Sequence, residues 1–154
     1  MVEQPPQFHS EGDVFTHQLL VMEHLPDHPD PILIWGALLH DIGKPQTWTV
    51  DPDGRIHFNG HAEVGAELAR NVARRFKFSN QEIADIEWIV ANHMKVRGIA
   101  EMTPKHQLML VLHPQFPNLI HLLTADNNSS IRPDGTISRR GEEEAAQVVQ
   151  KIRE

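Results

Sequence analysis

His40 and Asp41 stand side by side at the end of the apolar run Leu38-Leu39, with Ile42-Gly43-Lys44 following at once. An imidazole nitrogen and a carboxylate oxygen from neighbouring positions suit a borderline divalent metal. Four more residues of these types stand on, or at the end of, apolar stripes: His17, His61, His93 and Asp126. A single histidine on such a stripe is ordinarily a satisfied core residue. Burying an aspartate without a partner is far more costly. Two inward-facing aspartates among several imidazoles are compensated by a metal cluster in a way an apolar core cannot match. Lys44, three residues past Asp41, is a cation beside the doublet and a candidate for holding an anionic oxygen there. Its competing reading is a cation favoured by a helix C-terminal dipole. His57, His24 and Arg97 are weaker candidates for lining the cleft.

These residues need helices to carry them. Asp13 is an N-cap, and Val14, Leu20, Val21 and Leu25 recur at helical spacing, with His17 on the same side and His24 near it; Pro26 stops this helix. Asp30-Pro31 predicts a second helix running to about Asp41, ended by Gly43 and Pro45. His40 and Asp41 lie seven residues past Leu33 and Ile34, at the end of its buried face. Residues 46–60 read as a long loop with room for a short hairpin around 48–58, turning at Asp51-Pro52-Asp53-Gly54. A helix from about His61 carries Val64, Gly65, Leu68, Ala69, Val72 and Phe76 on one face. Ser79-Asn80-Gln81-Glu82 is a capping box opening a helix with Ile83, Ile86, Ile89 and Val90 inside and His93 extending the stripe. Thr103-Pro104 starts another, with Leu108, Leu110, Val111 and Leu112 inside. Pro117 opens the helix that ends near Asp126, and 127–135 is turn-rich. A polar final helix over about 138–153 has Ala145, Ala146, Val148, Val149 and Ile152 as its apolar residues. The expected fold is all-α, a single helical bundle domain over 1–154 with its core at about 13–130. Residues 1–12 read as irregular.

The 154 residues suit one domain. With 40% hydrophobic and 23% charged residues, the chain has globular rather than disordered composition. Its apolar runs are too short to span a bilayer, so no membrane partner is expected. The absence of cysteine excludes disulfides and thiolate metal sites. With no signal-peptide pattern at the start, it points to a cytoplasmic setting. A net charge of −7 disfavours long nucleic acid, although a bound metal cluster can reverse the field locally for one small phosphate ester. Arg70, Arg74, Arg75 and Lys77 read as a solvated helix face, and Trp35, Trp48 and Trp88 as packing residues. Eleven histidines is a high count, and histidine is the commonest metal ligand.

The order His17, His40-Asp41, His61, His93, Asp126 resembles the HD superfamily of metal-dependent phosphohydrolases. More closely, Asp13-Val14-Phe15-Thr16-His17, Leu38 to Pro45, Phe58-Asn59-Gly60-His61, Val64-Gly65-Ala66-Glu67 and Arg75 to Asn80 resemble the HD domain appended to bacterial CCA-adding tRNA nucleotidyltransferases, over about residues 13 to 130. The resemblance implies an all-helical fold in which His17, His40, Asp41 and Asp126 hold one metal. His61 and His93 match the extra pair of two-metal members, where the aspartate of the doublet bridges both ions, so one or two divalent ions are implied. It implies hydrolysis of a nucleotide or other small phosphate ester, as phosphomonoesterase or phosphodiesterase, with Asp41 and Lys44 in catalytic roles. A binding or regulatory module linked to RNA or nucleotide metabolism, or a di-iron oxygenase on the same fold, are the alternatives. The nucleotidyltransferase domain and its paired acidic residues have no counterpart in this sequence, so nucleotide addition is not implied. Imidazole and carboxylate admit iron, manganese, cobalt, nickel or zinc alike.

Overall fold

The computed structural model describes residues 2, 13–130 and 134–153. The expectation of an irregular segment over 1–12 therefore falls, Val2 apart, outside the described residues. Among these residues the chain forms eight α-helices, one 3-10 helix and a two-stranded hairpin, the all-α architecture expected. None of the described helices is long and apolar enough to cross a membrane.

Helix α1, Val14–Glu23, starts where Asp13 Oδ1 accepts from the backbone N–H of Phe15 at 2.8 Å and Thr16 at 3.0 Å. Helix α2, Pro31–Leu39, is capped by Asp30, which accepts from Ile32 N–H at 2.7 Å, with Pro31 in its first turn. It ends two residues before Asp41. Ile42 N–H donates to Leu39 and Lys44 N–H to Asp41, each three residues back, so the chain tightens into turns. Pro45, expected as a stop, lies in the first turn of α3, Lys44–Thr47, where its missing N–H has no helical partner to lose. The hairpin pairs β1, Thr49–Val50, with β2, Ile56–His57, antiparallel across the predicted turn.

Helix α4, His61–Arg75, packs along α5, Asn80–Asn92. The capping box is complete: Ser79 Oγ accepts from Glu82 N–H and Glu82 Oε2 from Ser79 N–H. The buried face of α4 differs from the expected one. It is Ala62, Gly65, Ala66, Ala69 and Ala73, whereas Phe76 is exposed; small side chains allow α4 to close on α5. The 3-10 helix Lys95–Glu101 follows, then α6, Pro104–Val111. On α6, Leu110 is buried but Leu108 and Leu112 are exposed, against expectation. Helix α7, Phe116–Ser129, continues past Asp126 into the stretch expected to turn, and α8, Arg140–Arg153, packs against the 3-10 helix. In α8, Ala145 and Val148 are buried and Ala146 is exposed.

Two apolar clusters form the core. Val21, Leu33, Ala37, Ile89, Ile99 and Leu122 belong to one; Leu39, Ala69, Ile86 and Val90 belong to the other. Helices α2 and α5 contribute to both. Each fully buried Leu or Ile stabilises the bundle by about 1.5–3 kcal/mol. The polar ends of α2 and α5, His40 and His93, are held at the same depth as this core.

Candidate metal centre

The six residues expected to share a site are brought together, and all six are buried. His17 comes from α1, His40 and His93 from the C-caps of α2 and α5, His61 from the first residue of α4, and Asp126 from α7. Asp41 lies between them. Its Oδ2 is 3.2 Å from His40 Nε2 and 3.9 Å from His17 Nε2. Its Oδ1 is 3.4 Å from His61 Nε2 and 3.8 Å from His93 Nε2. Each oxygen of one carboxylate therefore serves a different pair of imidazoles. Asp126 joins through His17, with Oδ1 at 3.0 Å from its Nε2.

The imidazole tautomers follow from the helix ends. Nδ1 of His40 is 2.7 Å from the Ala37 carbonyl, that of His61 2.8 Å from Phe58, and that of His93 2.7 Å from Val90. A carbonyl can only accept, so each Nδ1 carries a proton, and a ring in its neutral form turns an Nε2 lone pair inward. Nε2 of His61 and of His93 are 3.1 Å apart. His40 Nε2 is buried and makes no hydrogen bond. Lone pairs converging on a carboxylate repel one another unless a cation lies among them. The groups His17–His40–Asp41 and Asp41–His61–His93 could each hold a metal ion, and this all-nitrogen-and-oxygen donor set suits a divalent transition metal.

Burial pushes Asp41 up, but His40 and Lys44 outweigh it and hold the carboxyl well below the usual carboxylate range. Asp126 is likewise raised by burial and brought well below that range by Arg97 and His17. Burial, with His40 next, pushes His93 down to about 3 against the pull of Asp41. Both carboxylates are thus ionised and His93 neutral near pH 7, as metal ligands must be.

Gly43 fixes the doublet against α4. A Cβ at this position would lie 2.1 Å from the His61 carbonyl oxygen and 2.7 Å from Gly65 N, both backbone atoms. Only glycine permits this approach.

A cavity of about 590 Å³ opens over Asp41, His61, His93 and Asp126. Lys44, His57, Phe58, Lys95, Arg97 and Asn127 also line it. Lys44 is buried, its Nζ 2.8 Å from Asp41 Oδ2 and 5.3 Å from the centre of the Phe58 ring. Of the weaker candidates, His57 lines the cavity while holding Asp51 Oδ2 at 2.8 Å, and Arg97 lines it while paired with Asp126. His24 is exposed and does not line it, its Nδ1 lying 2.8 Å from the Leu20 carbonyl. Arg70 pairs with Glu87, Trp35 packs on Phe76 and Phe78, and Trp88 stacks on His113. Asn127, buried and hydrogen-bonded to Arg97 at 2.8 Å, was not singled out from the sequence. Its adjacency to Asp126 was the available signal.

A model of the HD domain family matches residues 14–130. The A-adding tRNA nucleotidyltransferase of Deinococcus radiodurans is 34% identical over 129 residues, which is 80% of this chain and 29% of that protein. The CC-adding tRNA nucleotidyltransferase of Thermus thermophilus is 35% identical over 117 residues, 73% of this chain and 26% of that protein. A multifunctional CCA protein of Aromatoleum aromaticum is 40% identical over 78 residues, 49% of this chain and 18% of that protein. The chain thus spans less than a third of the length of these relatives.

Proposed function

The chain belongs to the HD domain family, and on that premise we propose that it is a metal-dependent phosphohydrolase acting on a nucleotide or other small phosphate ester. The observation that carries the reading is the Asp41 carboxylate, whose two oxygens serve two separate histidine pairs at the base of an open cavity. His17, His40, Asp41 and Asp126 would hold one ion, and Asp41, His61 and His93 a second. Bound there, divalent ions supply an activated water and a Lewis acid for a phosphoryl oxygen.

The remaining chemistry belongs to the chain. Three backbone carbonyls hold His40, His61 and His93 with Nε2 turned to the site, so these three imidazoles need not reorient on loading. Lys44 brings a cation to the cavity floor, where it can bind a phosphoryl oxygen and stabilise the charge that develops on it. Arg97 and Lys95 add positive charge to the walls of an otherwise acidic protein. Phe58 and Ile56 give one wall apolar surface for the organic part of the ester.

The test is the metal content of protein purified without added metal, followed by assay of phosphomonoesters and phosphodiesters with manganese, nickel, cobalt, zinc and iron(II). Turnover that disappears with chelator and in His40→Ala and Asp41→Ala supports the reading. Tightly bound metal without hydrolysis of any ester, or metal and activity retained in both variants, overturns it.

A further inference from the structure

The 3-10 helix and α8 meet directly beside Asp126. Arg97 donates to Asp126 Oδ2 and, from Nη1, to Asn127 Oδ1 at 2.8 Å. Asn127 in turn donates from Nδ2 to Glu142 Oε1 at 2.9 Å. Glu142 also accepts from Arg139 at 3.2 Å, and Arg139 reaches Asn128 Oδ1 at 3.0 Å.

Chemistry fixes the direction of this chain. A carboxylate only accepts, so Glu142 draws the NH₂ end of the Asn127 amide. The amide oxygen then faces Arg97, which only donates. The guanidinium is held at both ends and aims its other nitrogen at Asp126 Oδ2. That leaves Oδ1 of Asp126 turned towards His17. The backbone supports the same arrangement: a Cβ on Gly141 would lie 3.3 Å from Arg97 Cα, so the start of α8 rests on the residue it positions.

We infer that Arg97 is a positioning residue for Asp126, held through Asn127 by Glu142, so that α8, which lies beyond the family match at residues 14–130, is a working part of the metal centre. The inference rests on the metal reading above. Outer partners of metal ligands set ligand orientation and affinity, and losing one typically costs about 10–100-fold in metal affinity. Glu142 does not line the cavity, so its contact with the metal ligands runs through the chain it holds.

The experiment measures Mn²⁺ affinity of the full chain by calorimetry, with circular dichroism of the metal-free proteins as the control for folding. Glu142→Ala is expected to weaken Mn²⁺ binding about 10-fold. Glu142→Gln, whose amide oxygen still accepts from Asn127, is expected to recover most of it. Arg97→Ala loses at least as much as Glu142→Ala, and the double variant loses no more than Arg97→Ala alone, because the two act in series. A folded Glu142→Ala with wild-type affinity overturns the inference, as do losses that multiply in the double variant. Unchanged Mn²⁺ affinity with a raised KM in Arg97→Ala also overturns it, making Arg97 a substrate contact. Should Arg97→Ala not fold, equal affinities of Glu142→Ala and Glu142→Gln overturn it. Failure of the wild-type chain to bind Mn²⁺ or another divalent ion removes the metal reading itself, a result distinct from all of these.

Discussion

Nε2 of His61 faces Nε2 of His93 at 3.1 Å, and the Nδ1 of each ring is committed to a backbone carbonyl. With Nδ1 anchored, either ring supplies a proton to the gap only by carrying a second one, as a charged imidazolium in a buried space. When both rings are neutral, two acceptors oppose each other in a buried space, and an unsatisfied buried polar group costs about 1–3 kcal/mol. His93→Leu removes one of them at similar volume. It should raise the metal-free Tm by about 2–4 °C per kcal/mol relieved and reduce the gain in Tm on adding divalent metal. A lower metal-free Tm in this variant would show that the histidine pair is stabilising in its own right.

The division of labour at Asp41 predicts stoichiometry. His61→Ala leaves His17, His40, Asp41 and Asp126 intact and should take the protein from two bound ions to one. Asp41→Asn removes the carboxylate that both histidine pairs share and should weaken binding at both positions by more than about 100-fold. Elemental analysis after gel filtration separates the cases. One ion per chain in both the native protein and His61→Ala would mean a one-metal site.

Lys44 and the ions compete for the same carboxylate, since Nζ sits 2.8 Å from Asp41 Oδ2. Lys44→Met should therefore bind divalent metal at least as tightly as the native chain. Its kcat on a responsive phosphate ester should nonetheless fall about 10²-fold, the scale for losing one preorganised charge-stabilising donor. Parallel losses of metal and kcat would make Lys44 a structural partner of Asp41 instead.

Gly43→Ala tests how the doublet is seated. The added methyl would meet the His61 carbonyl and Gly65 nitrogen, and backbone cannot yield as a flexible side chain does. Separation of α4 from the His40–Asp41 turn should cost at least about 1–3 kcal/mol, as overpacking does. It should also weaken metal binding by pulling His61 away from Asp41. Wild-type denaturant midpoint and metal affinity would contradict this.

The site was more legible in the sequence than the surfaces that support it. His40, Asp41, His93 and Asp126 each lie seven residues past an apolar anchor, so helical periodicity alone aims them inward. Arg97 sits in a 3-10 helix with Gly98 out of helical geometry, where no period of 3.6 operates. Asn127 was hidden because Asn127-Asn128-Ser129-Ser130 has turn composition. Burial of Leu122, Ala125 and Ser129 on one side nevertheless carries α7 through it. On α4, alanines carry little hydrophobic signal yet form the buried face, because close packing on α5 selects small volume over large apolar area. Leu108 on α6 and Leu112 at its C-cap show the converse: apolar side chains turned away from the core that the neighbouring Leu110 enters.

The acid limb of stability can be assigned in part to His113. Its ring stacks on Trp88 with centroids 3.7 Å apart and planes 6° from parallel. Its Nδ1 accepts from Gln115 N–H at 3.2 Å, ahead of α7. The Gln115 contact favours the neutral ring, whose Nδ1 lone pair accepts, and burial lowers the pKa from 6.5 against the opposing pull of Asp85. A depressed histidine pKa means the folded state binds fewer protons than the unfolded one near and below that value. The contribution to stability is complete above pH 6.5 and is lost as pH falls from there towards the folded pKa. His113→Phe keeps an aromatic ring for Trp88 and cannot titrate, but gives Gln115 N–H no acceptor. Its Tm should be lower than the native value at about pH 7.5, and its decline towards about pH 5 should be shallower. The difference between the two Tm curves is the quantity to follow, because contributions common to both proteins cancel in it. Parallel curves across that range would remove His113 from the acid response.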